Sequence, residues 1–163
     1  MKTLYVVRHG VAVPFGTEGI ADDERTLTEQ GERKVRGIGR GLKRLRIKLN
    51  AITSSPLPRA SRTAEILATE LGLSESLNFA DALRADQSAT QIREWLHGCV
   101  EEHLMIVGHN PSFSDLIGLL LGAGSSHLHL ELRKGGIAAF TVGDGGTYQL
   151  DWLARPRLLR NLG

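Results

Sequence analysis

Short apolar runs of β type alternate along this chain with segments of helical periodicity, and that alternation restricts its fold more than any other feature. Lys2-Thr3-Leu4-Tyr5-Val6-Val7, Ala51-Ile52-Thr53-Ser54 and Leu104-Met105-Ile106-Val107 read as strands, with Leu77-Asn78-Phe79 a short edge strand. The unbroken apolar run at 104–107 marks a central strand buried on both faces. After a polar loop over 11–27, Thr28 is an N-cap type, and Val35, Ile38, Leu42 and Leu45 follow at helical spacing as core-facing positions. Gly37, Gly39 and Gly41 each weaken that helix by about 1 kcal/mol relative to alanine, so packing must hold it or it breaks there. Pro58 suits the first position of a second helix with Ala60, Ala64, Leu67 and Leu71 as its buried stripe and Gly72 at its end. Ile92, Trp95 and Leu96 mark a third helix; Pro111 opens a fourth carrying Phe113, Leu116, Ile117 and Leu120. Ile137–Val142 and Thr147–Leu153 flank Gly143-Asp144-Gly145-Gly146, an antiparallel hairpin signal. The expected class is α/β with a mostly parallel sheet and an antiparallel C-terminal hairpin.

Bulk properties narrow the function classes. A length of 163 residues fits one domain over 1–163, with 41% hydrophobic and 23% charged residues, ordinary for a globular protein. A net charge of +2 is too small to make the whole molecule a polyanion binder. The single Cys99 excludes an intramolecular disulfide, leaves no thiolate pair for a metal, and suits a reducing compartment. Leu4–Val7 is too short for a secretory apolar core, and the stretch around Gly118–Leu121 is too short for a membrane span. The expectation is a cytoplasmic protein with neither membrane nor nucleic acid as partner.

The chemistry concentrates just beyond strand ends, where ligands bind in open α/β sheets. Arg8-His9-Gly10 leaves the first strand: imidazole is a nucleophile, guanidinium grips an anion, and glycine permits a tight turn. Ser54-Ser55-Pro56-Leu57-Pro58-Arg59 follows the second strand, and Val107-Gly108-His109-Asn110-Pro111 follows the central one. Arg59 falls in the first turn of a helix, whose free N–H groups favour an anion. Arg62 is the alternative ligand. His109 has a second reading as a cap of the fourth helix, and Ser55 reads more safely as an N-cap than as a phosphate contact.

The composite of Arg8-His9-Gly10, Arg25-Thr26-Leu27-Thr28 with Gly31, Ser54 to Ala60 with Thr63-Ala64-Glu65, and Val107 to Pro111 resembles the histidine phosphatase superfamily. Within it the chain is most similar to the small SixA-type phosphohistidine phosphatases. The resemblance implies a phosphoglycerate mutase-like, three-layer α/β/α sandwich. It implies His9 as a transiently phosphorylated nucleophile, with Arg8, Arg59 and His109 binding the phosphoryl group and no cofactor or metal. Asp22 matches a position that carries an aspartate in some SixA-type proteins, and is a candidate acid or water-orienting residue. The substrate expected is a phosphorylated protein such as a histidine-containing phosphotransfer domain. The alternatives are a broad-specificity phosphatase of small phosphomonoesters and a non-catalytic phosphate-binding module.

Larger relatives carry a glutamate acid in an insertion after the third strand. Here that region is short, Ala80-Asp81-Ala82-Leu83-Arg84-Ala85-Asp86, and contains no glutamate. Little chain between Gly72 and Ser88 is available for a lid, so the site should be open and shallow. Phosphohistidine suits such a site, since its imidazole leaving group can itself be protonated whereas an alkoxide needs a donor.

Other features read as structural. His127-Leu128-His129 has no carboxylate or cysteine pattern to complete a metal site, and His97 and His103 have no recognisable partner. Arg33, Lys34, Arg36, Arg40, Lys43, Arg44, Arg46 and Lys48 crowd the first helix against Glu29 and Glu32. A solvated face is the default for them, and a dock for an acidic protein the functional alternative. Nucleic acid fits poorly, with aromatics at 5%.

Overall fold

The computed structural model describes residues 1–122 and 130–163. Its six strands are β1 (Thr3–Arg8), β2 (Ala51–Ser54), β3 (Leu77–Phe79), β4 (His103–Gly108), β5 (Ile137–Val142) and β6 (Tyr148–Ala154). Its α-helices are α1 (Glu29–Arg44), α2 (Pro58–Leu71), α3 (Ala89–His97), α4 (Ser112–Leu120) and α5 (Pro156–Arg160). The strands form one sheet in the order β3-β2-β4-β1-β5-β6. The first four are mutually parallel, and β5 and β6 add on antiparallel.

Period-two alternation along the central strands divides the core between the two faces of the sheet. Tyr5, Val7, Ile52, Met105, Val107, Ile137 and Ala139 join the apolar stripes of α1, α2 and α5. Leu4, Val6, Leu104, Ile106, Ala138 and Phe140 pack with α3 and α4. The result is the expected three-layer α/β/α sandwich. Strand register then sets the site: Arg8 pairs with Gly108, and Ser54 with Val107. The residues that follow, His9, Ser55 and His109, therefore leave the same edge of the sheet side by side.

The glycines of α1 do not break it. The helix is continuous, with the Thr28 side chain capping Gly31 N–H. A Cβ on Gly39 would lie 2.7 Å from Glu70 Cβ, and one on Gly41 would lie 2.0 Å from the Leu159 carbonyl oxygen. These glycines let α2 and α5 approach the helix backbone, so tertiary contact offsets their poor propensity. Two expectations differ. Leu45, assigned to the core, is 47% exposed because α1 ends at Arg44 and the chain turns through Arg46 at φ 51°. Helix α5 has no counterpart in the sequence reading; five residues are too few to display periodicity, and only Leu159 is buried.

Candidate active site

His9 stands at the carboxyl end of β1, only 6% exposed. Its Nδ1 lies 2.8 Å from the Gly10 carbonyl oxygen. A ring nitrogen facing a carbonyl must donate, so the proton resides on Nδ1 and the lone pair on Nε2. The Gly10 N–H donates to Thr63 Oγ1 at 3.0 Å, and the Thr63 hydroxyl donates to the Arg59 carbonyl at 2.7 Å. Gly10 has no room for a side chain, since a Cβ would meet Val35 Cγ2 at 2.7 Å. Burial pushes the His9 pKa down to about 4, and Arg59, Arg8 and Lys134 add to the effect against the opposing Gly10 hydrogen bond. The imidazole is neutral at pH 7.

A turn made by Arg133–Gly136 clasps the same strand end through its backbone. Gly135 N–H donates to the Arg8 and His9 carbonyls, and Arg8 N–H donates to the Gly136 carbonyl. Gly135 holds a φ of 79°, which favours glycine. Arg8 Nη1 donates to the Leu132 carbonyl at 2.9 Å, and Asn110 Nδ2 donates to that same oxygen at 3.1 Å.

Arg59, in the first turn of α2, is 3% exposed. Its guanidinium reaches the Asp22 carbonyl at 2.6 Å and Asp22 Oδ2 at 3.3 Å. Arg25 holds the other carboxylate oxygen, Nε to Asp22 Oδ1 at 2.8 Å, and also bonds the Val13 carbonyl. The Arg25 hydrogen bond holds the Asp22 carboxyl below the usual range; burial opposes it, and the nearby charges of Arg59 and Arg25 reinforce it. Asp22 is thus a carboxylate at neutral pH and a poor proton donor.

His109 follows β4, is 2% exposed, and its ring centroid lies 5.2 Å from that of His9. Its Nε2 is 2.9 Å from Ser55 Oγ, which already accepts the Leu57 N–H at 3.3 Å. The Ser55 hydroxyl proton is therefore free to point at Nε2, a tautomer that puts a hydrogen on His109 Nδ1. Burial, with the surrounding His9 and arginines, lowers the His109 pKa to about 3. Ser55 is not the N-cap of α2, a position held by Leu57; it orients His109 instead.

Arg8, His9, Asp22, Arg25, Arg59 and His109 line one cleft of about 270 Å³, completed by Phe15, Ala85, Asn110 and Lys134. Buried polar side-chain atoms rarely lack partners. Among the described residues five do, and four of them, Arg8 Nε, Arg59 Nε, His109 Nδ1 and Asn110 Oδ1, belong to residues lining this cleft. Three of these four are donors, a composition suited to an anion. Arg62 is outside the lining: Glu32 and Glu65 hold its guanidinium and raise its pKa. The cleft is deeper than the shallow site expected. Among the described residues no lid covers it, yet its reacting groups sit nearly out of solvent, while Phe15 is 79% exposed.

No group of three His, Cys, Asp or Glu side chains placed for a metal occurs among the described residues. The His127 and His129 reading lies outside the described residues. His103 Nδ1 pairs with Thr3 Oγ1 at 3.0 Å. No described helix is long and apolar enough to cross a membrane.

Sequence reasoning gave no role to Arg25, Thr63, Asn110 or Lys134. Arg25 had a local signal, a base three residues after Asp22 in the same loop. Thr63, one helical turn after Arg59, had another. Lys134 had only the Gly135-Gly136 pair behind it.

The family model for the Histidine phosphatase superfamily (branch 1) matches residues 4–85. An uncharacterized protein of Picosynechococcus sp. is 32% identical over 143 residues, covering 86% of this chain and 85% of its own. Among solved structures, the protein histidine phosphatase SixA complexed with tungstate superposes with a TM-score of 0.84 at 22% identity, covering 96% of this chain and 99% of that one. A phosphoglycerate mutase from Bacillus anthracis gives 0.78 at 18% identity, covering 99% and 96%. The fold is thus the phosphoglycerate mutase-like α/β sandwich, with a cationic, histidine-bearing cleft at the carboxyl edge of its sheet. The chain belongs to the histidine phosphatase superfamily, and its structural neighbours include SixA.

Proposed function

We propose that the protein hydrolyses phosphohistidine on another protein, with His9 as nucleophile. The observation that carries this reading is the state of His9: neutral, with Nδ1–H held by Gly10 and Nε2 free beside unpartnered donors of Arg8, Arg59 and His109. Nε2 attacks phosphorus, the substrate P–N bond breaks, and the departing imidazole takes a proton from solvent. Water then attacks the phosphoryl group on His9, releases inorganic phosphate and restores the imidazole. Arg8 and Arg59 hold non-bridging oxygens, and His109 Nδ1–H donates to the same group as charge shifts in the transition state. Asp22 holds Arg59 and orients water rather than acting as an acid.

Among the described residues no carboxyl group lining the cleft is held protonated, which favours a phosphoramidate over an alkyl ester. A stable ester needs general-acid assistance worth 10²–10⁴-fold, whereas protonated imidazole leaves without it. A side chain as long as phosphohistidine suits a cleft whose reacting groups are nearly buried. The tungstate in the SixA structure, a tetrahedral oxyanion, agrees with this reading. The single Cys99 fits a cytoplasmic location for such an enzyme.

The test compares a phosphorylated histidine phosphotransfer domain with sugar phosphates. The expected kcat/KM ratio is at least about 100, from the general-acid scale above. Rapid quench should trap an acid-labile, base-stable phosphoenzyme. Comparable efficiency on both substrates would move the protein to the broad-specificity phosphatases. Phosphate binding without turnover of either would make it a binding module.

A further inference from the structure

A second cationic cleft, sharing no residue with the first, lies between α1 and α5. Gln30, Arg33, Lys34, Gly37, Arg40 and Arg160 line about 340 Å³ of it. The lining holds four cations and no carboxylate. Its construction depends on Gly37, where a Cβ would stand 3.1 Å from Arg160 Cγ; the missing side chain lets α5 lay its arginine beside those of α1.

Neighbouring Asp and Glu side chains leave most of this face unneutralised. Glu32 is occupied by Arg36 and Arg62, and Glu29 reaches only Arg33, at 3.6 Å with both side chains largely exposed. Among the described residues no Asp or Glu side chain lies within 4.0 Å of a nitrogen of Lys34, Arg40, Lys43, Arg44, Arg157 or Arg160, and Gly163 packs against Gly37 and Arg40 at one edge of the cleft. Such a concentration of like charge destabilises the free protein slightly and is relieved by an anionic partner.

The extent and composition of the face select the partner. From Lys34 to Arg44 the cations span about 15 Å of helix at 1.5 Å per residue, too far for one small anion to bridge. Neither α1 nor α5 contains an aromatic ring on which a base could stack. Instead Leu45, Leu158 and Leu162, at 47%, 61% and 41% exposed, stand at these elements beside arginines, a residue enriched at protein interfaces. The cleft also begins close to the site. Gln30 is two residues beyond Thr28, whose N–H donates to the carbonyl of Val11, itself two residues after His9.

We propose that the α1–α5 face docks an acidic surface of the phosphohistidine-bearing protein, seating it so that its phosphorylated side chain enters the His9 cleft. The proposal rests on the phosphohistidine reading above and adds a recognition surface remote from the reacting atoms. Docking of this kind acts on encounter and KM, not on the chemical step.

The experiment uses the full chain, an acidic phosphotransfer domain phosphorylated on histidine, and free phosphohistidine as a substrate too small to touch the second cleft. In the Lys34→Glu/Arg40→Glu variant, kcat/KM on the phosphoprotein should fall at least about tenfold through KM, the lower end of electrostatic steering. Turnover of free phosphohistidine should stay within twofold. Wild-type efficiency on the phosphoprotein should drop steeply with added salt, and the variant should be nearly flat. The neutral pair Lys34→Gln/Arg40→Gln should give an intermediate loss, and it replaces the reversal if that fails to fold. Unphosphorylated phosphotransfer domain should compete, and single-stranded DNA of equal charge should not. Equal losses on both substrates, no loss on the phosphoprotein, or equal competition by DNA would overturn the docking surface while leaving the phosphohistidine reading intact. Wild-type protein that turns over neither phosphohistidine substrate would overturn both.

Discussion

The Gly10 carbonyl, 2.8 Å from His9 Nδ1, fixes which nitrogen of that ring is reactive, and burial fixes its charge. With a pKa near 4, His9 should remain a competent base and nucleophile well below the range of a free imidazole. The acid limb of kcat/KM in a pH profile should therefore fall near pH 4 and not near 6.5; a limb at 6.5 would mean that the site is wetter than its geometry. Stability carries the same signature. The unfolded chain binds a proton on each histidine near pH 6.5, whereas the native state resists until about 4 at His9 and about 3 at His109. Stability is thus full above pH 6.5 and falls with pH below it, by about 1.4 kcal/mol per unit for each histidine. Thermal melting from pH 7.5 to 4.5 should show the fall, with a shallower slope in His9→Asn/His109→Asn. At Arg59 the fork matters as well as the charge. Arg59→Lys should lower turnover by the equivalent of about 2–4 kcal/mol, the scale of one lost transition-state donor, with the fold unchanged by circular dichroism. His9→Ala should abolish turnover and leave the protein folded.

At the scale of elements, α1 is held by what its glycines admit. Gly41→Ala places a methyl 2.0 Å from the Leu159 carbonyl oxygen, and backbone on both sides leaves little to give. The expected loss is about 1–3 kcal/mol in denaturant unfolding, with faster amide exchange over 156–160. Alanine would stabilise a solvent-exposed helix, so a gain here would contradict the packing. This position also shows how far the sequence reaches. Gly37, Gly39 and Gly41 are legible as a weakness in a helix, but the helices that exploit them are non-local, and α5 is too short to announce itself. The strands were legible from their apolar runs. Their order was not, because the insertion of β4 between β1 and β2 is decided by pairing across long stretches of chain. Arg59 and Arg62 are three residues apart on one helix, and motif position separated them by analogy only. In space Glu32 and Glu65 hold Arg62, and Asp22 turns Arg59 inward. Arg8, His9, Arg59 and His109 were legible because each sits at a strand or helix end that the pattern locates. Arg25 and Lys134 were not, since their places depend on how two loops fold back.

For the whole molecule, guanidinium groups meet the charge of the transferred group, so turnover should be unchanged in excess EDTA. Activity lost to chelation and restored by Mg²⁺ or Zn²⁺ would contradict the proposed chemistry. The loop from Leu132 to Gly136 supplies Arg8, His9 and Asn110 with backbone partners alone, and it lies far along the chain from the first two. Synthesis runs from the other end, at roughly 5–20 residues per second. A growing chain thus displays its nucleophile long before the clasp is made, and owns every proposed phosphate-binding side chain once His109 has emerged. It still lacks the clasp and β5, the antiparallel partner of β1. A chain released at Gly122 should carry every proposed phosphate-binding side chain and hydrolyse nothing, so activity waits for the loop and strand that come after them.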